Sequence, residues 1–335
     1  MTRGKLIIAA IVAALGFVAA AQAADPVKIR IGWVVLPGEL QPVLFAKAGI
    51  AKNNGKTYVM EPVRFQGSPP TVTALAAGEL EIAPLAFSTV AIAIQNAGLT
   101  DVRIISDEFK DGVEGYHSNP FMVRKNGPIQ KVADLKGRIV ATNAVGAAVD
   151  IASRAMLKKH GLEPPRDYTI VEASFPNMKA MLLEKKVELI PAVPPFAFDP
   201  GLLAEARTLF TQKEAVGTTQ MVIWAARAGW LQKNRAAVVD FMEDATRAVR
   251  WYLDPANHGE AVKILSDAMK MPPERLNDWV LTKKDFHRDP DMRPDLRALQ
   301  ANLDLQYELG FMKSKLEISQ YADLSIIEEA VKRIK

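Results

Sequence analysis

An α/β architecture of two lobes is predicted for this chain, and three observations predict it. Short β-rich runs alternate with helix-compatible runs from residue 28 to residue 106, the pattern of a parallel sheet with helices on both faces. The alternation breaks over 107–120, where Asp107, Glu108, Asp111, Gly112, Gly115, Tyr116, His117 and Pro120 fall with no period. It resumes at residue 121 and runs to residue 226, after which the chain reads as mainly helical. Two such units joined by two crossings make a clamshell.

Residues 1–23 stand apart from that fold. Arg3 and Lys5 precede an apolar run over 6–21, and Ala21-Gln22-Ala23 is a cleavage pattern. The run is roughly 15 residues, against the ~20 that a membrane-spanning helix needs, so a secretory signal cut before Ala24 is expected. A periplasmic location follows from that expectation. Removing Arg3 and Lys5 takes the formal charge from +4 to +2, with no basic cluster left for nucleic acid. The sequence has 0 cysteines, which removes disulfides, thiolate metal sites and cysteine nucleophiles together. A 49% hydrophobic composition over this length suits two lobes, 24–115 with 227–335 and 116–226.

In chain order, residues 28–33 alternate as a strand ending at Trp33, and a short helix is expected over 42–52. A strand over 58–65 runs into Gln66-Gly67-Ser68-Pro69-Pro70. Ser68 suits an N-cap, Pro69 the first helical position, and Gly78 the end of the helix 71–77. A short strand over 81–84 gives way to Phe87-Ser88 and an apolar helix over 89–96, ended by Gly98; a strand over 102–106 follows. Beyond the break, 121–125 is a strand. The stretch 135–184 reads as strand, small-residue loop Asn143-Ala144-Val145-Gly146, helix 147–160 stopped by Gly161, strand, and a helix opened by Phe175-Pro176. The Val193-Pro194-Pro195-Phe196 loop, a helix over 200–206 and a strand over 208–211 lead to residues 220–226, expected as the return crossing.

Several catalytic and metal chemistries find no support. Gly49 to Thr57 places five residues between its glycines where a phosphate loop needs four, and it follows a helix. The four histidines, His117, His160, His258 and His287, are scattered without metal-ligand spacing, so no metal site is expected. No G-x-S-x-G occurs, and no catalytic residue or cofactor is expected. The carboxylate pairs Glu79/Glu81 and Asp107/Glu108 read as solvated loop ends.

Ser68, Ser88 and Gly146 each open a helix after a strand. Capping explains any one of them. Three in succession, with Trp33, Phe87 and Phe175 at neighbouring strand ends, favour a shared small-ligand cleft. Helix N-termini beyond the carboxyl ends of strands attract anions, so a small anionic ligand is expected.

Ala74-Leu75-Ala76-Ala77-Gly78-Glu79-Leu80-Glu81-Ile82 and Ala133-Asp134-Leu135-Lys136-Gly137-Arg138, followed by Tyr321-Ala322-Asp323-Leu324-Ser325, give the chain a resemblance. It resembles periplasmic substrate-binding proteins of the nitrate/sulfonate/taurine type, which serve ABC importers. At Lys185-Lys186-Val187-Glu188, Lys186 stands where that family usually has glycine. The resemblance implies a type II periplasmic-binding-protein fold, a ligand held between the lobes, an ABC permease as partner and a monomeric state. By position it maps the pocket to Trp33, Gln66, Gly67, Ser68, Phe87, Ser88, Asn143, Val145, Gly146, Phe175, Pro194 and Pro195. Tyr116 and His117, at the crossing, are added because the lobes would face each other there. Sulfonate, taurine-like or aromatic acid, and nitrate stay open as ligands. Two alternatives also stay open: an enzyme on the same fold, as in thiamine-pyrimidine or menaquinone-precursor biosynthesis, and a receptor for a membrane sensor.

Overall fold

The computed structural model describes residues 25–334; the leader expected over 1–23 lies outside them. β1 (Val27–Trp33) pairs in parallel with β2 (Tyr58–Arg64), Val27 opposite Tyr58 and Trp33 opposite Arg64. Ile29 and Ile31 alternate inward from β1 and are fully buried, as the period-2 pattern requires. α1 (Ser68–Ala77) begins after an extended Gly67 and ends at Gly78, whose φ of +72° is the left-handed cap that glycine adopts without strain. β3 (Ala83–Ala86) continues from an Ile31–Ile82 bridge, and α2 (Phe87–Ala91) runs through a π-helical turn, Ile92–Asn96. β4 (Val102–Asp111) follows.

The chain then builds a second unit. It comprises β5 (Pro120–Arg124), β6 (Ile139–Thr142), α3 (Ala148–Lys159), β7 (Thr169–Glu172) and α4 (Phe175–Leu183). β8 (Ile190–Pro191), α5 (Pro200–Glu205), β9 (Ala206–Thr211) and α6 (Gln212–Val216) complete it. β10 (Thr219–Arg227) returns to the first sheet. The two sheets repeat one topology. A two-stranded parallel pair, β2–β1 or β7–β6, is bridged to a three-stranded antiparallel group, β3–β10–β4 or β8–β5–β9.

α7 (Ala228–Lys233), α8 (Arg235–Leu253), α9 (His258–Met269), α10 (Leu296–Glu308) and α11 (Ser325–Arg333) close the chain. α8 buries Phe241, Met242 and Ala245 against Ile29, Ile31 and Tyr58, and the Tyr58 hydroxyl donates to Asp244 at 2.9 Å. A second apolar cluster is continuous across the two units, from Leu85, Phe87 and Ile223 to Ala152 and Leu157 of α3.

Several expectations change. Residues 42–52 form turns rather than a helix: Gly49 breaks the segment at φ +74°, leaving too few residues before it for a stable helix. Gly67, not Ser68, occupies the cap of α1. Residues 220–226 lie in the central strand of the antiparallel group β3–β10–β4 rather than in a crossing, since β10 pairs with both β3 and β4. Residues 107–111 extend β4 inside the protein. Asp107 and Glu108 are 1% and 8% exposed, not solvated loop ends. Polar partners face these side chains, so no apolar alternation marks the strand: Lys110 lies 3.6 Å from Asp107, and the Trp224 indole donates to Glu108 Oε2 at 2.9 Å, while Glu108 Oε1 is buried without a partner. His287, expected in a helical stretch, lies in an irregular segment that pairs with β4 through Lys110.

Candidate functional site

Strand ends and helix starts from both sheets converge on one cleft. Its inner cavity, about 50 Å³, is walled by Gly67 and Ser68 at the start of α1, Ala86 before α2, Ala147, Ala148 and Val149 at the start of α3, and Phe175 at the start of α4. Asn119, Asn143, Val193 and Pro194 add the second unit's loops. Val34, Val35, Gly38 and Glu39 form the opposing wall, with Phe109, Met221, Val222 and Phe286 behind them. A wider mouth of about 450 Å³ shares Val34, Val35 and Phe175 and adds Arg64, Phe65, Gln66, Ser174, Pro176 and Phe196. Together they reach the size of small-molecule sites.

Hydrogen bonds tie the two sides together. Gln66 Nε2 donates to the Asn143 carbonyl at 2.9 Å and Asn143 Nδ2 returns to the Gln66 carbonyl at 3.2 Å. Ser88 Oγ donates to the Gly146 carbonyl at 2.8 Å. Gly67 is needed for this approach, because a Cβ there would stand 2.8 Å from Asn143 Nδ2.

The positive character of the cleft comes from helix termini. No lysine, arginine or histidine lines the inner cavity among the described residues. The first N–H groups of α3, at Ala148 and Val149, have no acceptor among the described residues and stand in the cavity wall. Arg64 supplies the mouth's cation, its guanidinium stacked 5.4 Å from the Trp33 ring. Glu39 is the acidic exception. It is 3% exposed and accepts from the Val34 N–H, and burial, reinforced by nearby Glu108, raises its carboxyl well above the usual carboxylate range.

Of the residues singled out by sequence, Gly67, Ser68, Asn143, Phe175 and Pro194 meet in the inner cavity, and Gln66 stands with Phe175 at the mouth. The others do not join them. Trp33 ends β1 beneath Arg64, Phe87 is sealed in the core at 1% exposure, and Ser88 is spent on the Gly146 carbonyl. Val145 is 52% exposed, and Pro195 caps the short 3-10 turn that follows Pro194. Within the Asn143–Gly146 loop, Glu172 takes the Val145 N–H at 2.5 Å and Asp150 takes that of Gly146 at 2.9 Å. Those donors are used by the chain itself, so the anion-attracting part of α3 begins one turn later.

Tyr116 stacks edge-on against His287 at 4.8 Å, outside the cleft. His117 packs 5.3 Å from both Phe198 and Phe286, and burial holds its imidazole down to about 4. Both belong to the crossing. Sequence reasoning missed Val34, Val35 and Glu39, which sit in an aperiodic loop, and Phe286, which comes from a segment far along the chain.

A family model described as the NMT1-like family matches residues 22–266. No curated protein matches the chain by sequence. Among solved structures, the alkanesulfonate-binding protein SsuA from Xanthomonas axonopodis pv. citri, bound to MOPS, is 18% identical. It superposes with a TM-score of 0.69 over 90% of this chain and 99% of that one. The periplasmic nitrate-binding protein NrtA from Synechocystis PCC 6803 is 16% identical, TM-score 0.71, over 93% of this chain and 90% of its own. The desulfurization enzyme DSZB is 13% identical, TM-score 0.64, over 92% and 100%. The likeness establishes the two-unit periplasmic-binding-protein fold.

Proposed function

Because this chain belongs to the NMT1-like family, we propose that it is the solute-binding component of an ABC importer, capturing a small organic anion between its two lobes. One observation carries the reading: a cavity built by both sheets, with unpaired helix N–H groups in its wall and direct hydrogen bonds across its rim. The lobes hinge at the crossings 112–119 and 217–218. Ligand bridging them adds free energy to the closed form alone, and a permease at the inner membrane reads that closure. The protein works in the periplasm as a monomer, without cofactor, metal or nucleic acid. The binding proteins for alkanesulfonate and nitrate on this fold support an oxyanion. Sulfonate, taurine-like or aromatic acid, and nitrate are the classes to test. The apolar surfaces of Phe175, Phe109 and Phe286 favour an organic body on the anion.

Thermal unfolding against butanesulfonate, taurine, benzenesulfonate, benzoate, nitrate and a formylated aminopyrimidine tests this. Ligand at a hundred times its Kd adds about 2.7 kcal/mol, a shift of several degrees. Phe175→Ala should weaken the responding ligand about tenfold by calorimetry, since its ring stands in both the inner cavity and the mouth. No response before or after unfolding and refolding, which would remove any trapped ligand, would sink the binding reading.

The second reading, an enzyme on this fold, has one specific neighbour behind it. A cysteine mutant of the desulfurization enzyme is held with biphenyl-2-sulfinic acid. This chain contains 0 cysteines, so it has no counterpart of the residue substituted there. Chemical conversion of any panel compound would move the assignment to an enzyme.

A further inference from the structure

Two features of the inner cavity pull in opposite directions. The first turn of α3, a helix of 12 residues, presents unpaired N–H groups that favour negative charge. Glu39, 3% exposed, stands in the same cavity wall. One of its oxygens, Oε2, is held by the Val34 N–H; the other, Oε1, accepts from no described residue. Asn143 Oδ1 is likewise buried without a donor. An ionised Glu39 would meet no cation in the cavity wall and would repel the anion that the helix terminus attracts.

The groups packed around Glu39 decide where the charge resides. From β4, Glu108 is its carboxylate neighbour; from β10, the Trp224 indole donates to Glu108 at 2.9 Å. From the segment before α10, Arg288 acts on Glu108 and lies 3.5 Å from Asp285. Further along β4, Asp107 and Lys110 pair with each other at 3.6 Å. Glu108 thus has both an N–H donor and a cation to favour its ionised form. Glu39 has one backbone N–H. Burial pushes the Glu108 carboxyl up to about 8 and raises that of Glu39 well above the usual range, and of two adjacent buried carboxyls the one with fewer donors, Glu39, holds its proton the more firmly.

We propose that Glu39 is a ligand-contacting residue whose Oε1 donates its proton to an oxygen of the bound anion, so that the cleft takes up an oxyanion together with one proton. No covalent bond of the ligand changes; the proton is already on Glu39 at low pH and is drawn from solvent at high pH. Burial and Glu108 both act on the carboxyl in the direction this requires. The inference deepens the solute-binding reading and rests on it.

The test is calorimetric affinity for butanesulfonate and benzoate, whose own charges do not change from about pH 5 to about pH 9. It uses the wild-type chain, Glu39→Gln and Glu39→Leu. Wild-type affinity should be flat at low pH and fall about tenfold per pH unit once Glu39 ionises. Glu39→Gln keeps an acceptor for Val34 and a donor for the ligand, and should bind with a flat profile. Glu39→Leu should bind at least about tenfold more weakly at low pH. The infrared stretch of a protonated carboxyl should be present at neutral pH in the wild type and lost in Glu39→Gln. A flat wild-type profile, or no such stretch, overturns the inference while leaving the binding reading intact. Affinity that rises with pH would overturn it too, because proton uptake at Glu39 can only weaken binding as pH rises. Failure of both probes and of the wider panel at every pH would end both readings together.

Discussion

Two loops face the same cleft and differ in how they use their backbone. The loop Asn143–Gly146 has the small residues that suggest a ligand contact, yet Glu172 and Asp150 consume its N–H groups and Val145 points to solvent. The loop 34–39 has no motif, yet it forms one wall of the cavity and carries the buried acid. It is held from behind by Arg288, which donates to the carbonyls of Pro37 and Gly38 at 2.7 and 2.9 Å. Small side chains permit close approach. Whether backbone donors remain for a ligand depends on carboxylates placed elsewhere.

The sharpest way to break this contrast is Arg288→Met. Its side chain is 1% exposed, and removal leaves the Pro37 and Gly38 carbonyls without their donor and takes the neighbouring cation from buried Asp285, which keeps the Leu281 and Phe286 N–H groups. A loss of about 3–5 kcal/mol is expected in urea unfolding; a loss under about 1 kcal/mol would show that the loop holds itself. Next is Gly146→Val, which forces a β-branched residue to φ +84° with a Cβ 3.0 Å from Ile92. It should cost about 2 kcal/mol of stability and leave the folded protein's affinity unchanged. Sequence alone suggests the opposite outcome, blocked binding, and that outcome would return the loop to the site.

Gly67→Ala separates closure from folding. The φ of −171° suits any residue, but the new Cβ would press on Asn143 and Ala144 across the cleft. Affinity should fall about tenfold while the unfolding midpoint of the ligand-free chain stays in place. A matching fall in both would mean that the rim contacts stabilise the ligand-free fold itself. The smallest effect belongs to Val145→Ser, within about 0.5 kcal/mol in stability and without effect on binding.

Much of the architecture is legible in the sequence because its strands alternate and its helices stop at Gly78, Gly98 and Gly161, all at positive φ. The site is less so. Phe175, Gly67, Ser68, Asn143 and Pro194 are visible because they follow strands directly. Glu39 and Arg288 are not, since both lie in aperiodic segments and their significance depends on burial and on partners 69 and 251 residues away (Glu108 and Pro37). Glu108 is misleading for the same reason: a polar strand interior looks like a loop until Trp224 is placed beside it.

The position of β10 has a consequence for how the molecule comes into being. The first sheet begins at Val27 but lacks the strand that joins β3 to β4 until Arg227 has been made, whereas the second sheet is complete at Thr211. The inserted unit can therefore acquire its structure while its host is still an unfinished edge. A nascent chain has to keep β3 and β4 apart and unpaired through more than a hundred residues of synthesis, so the half that starts first is the half that must wait.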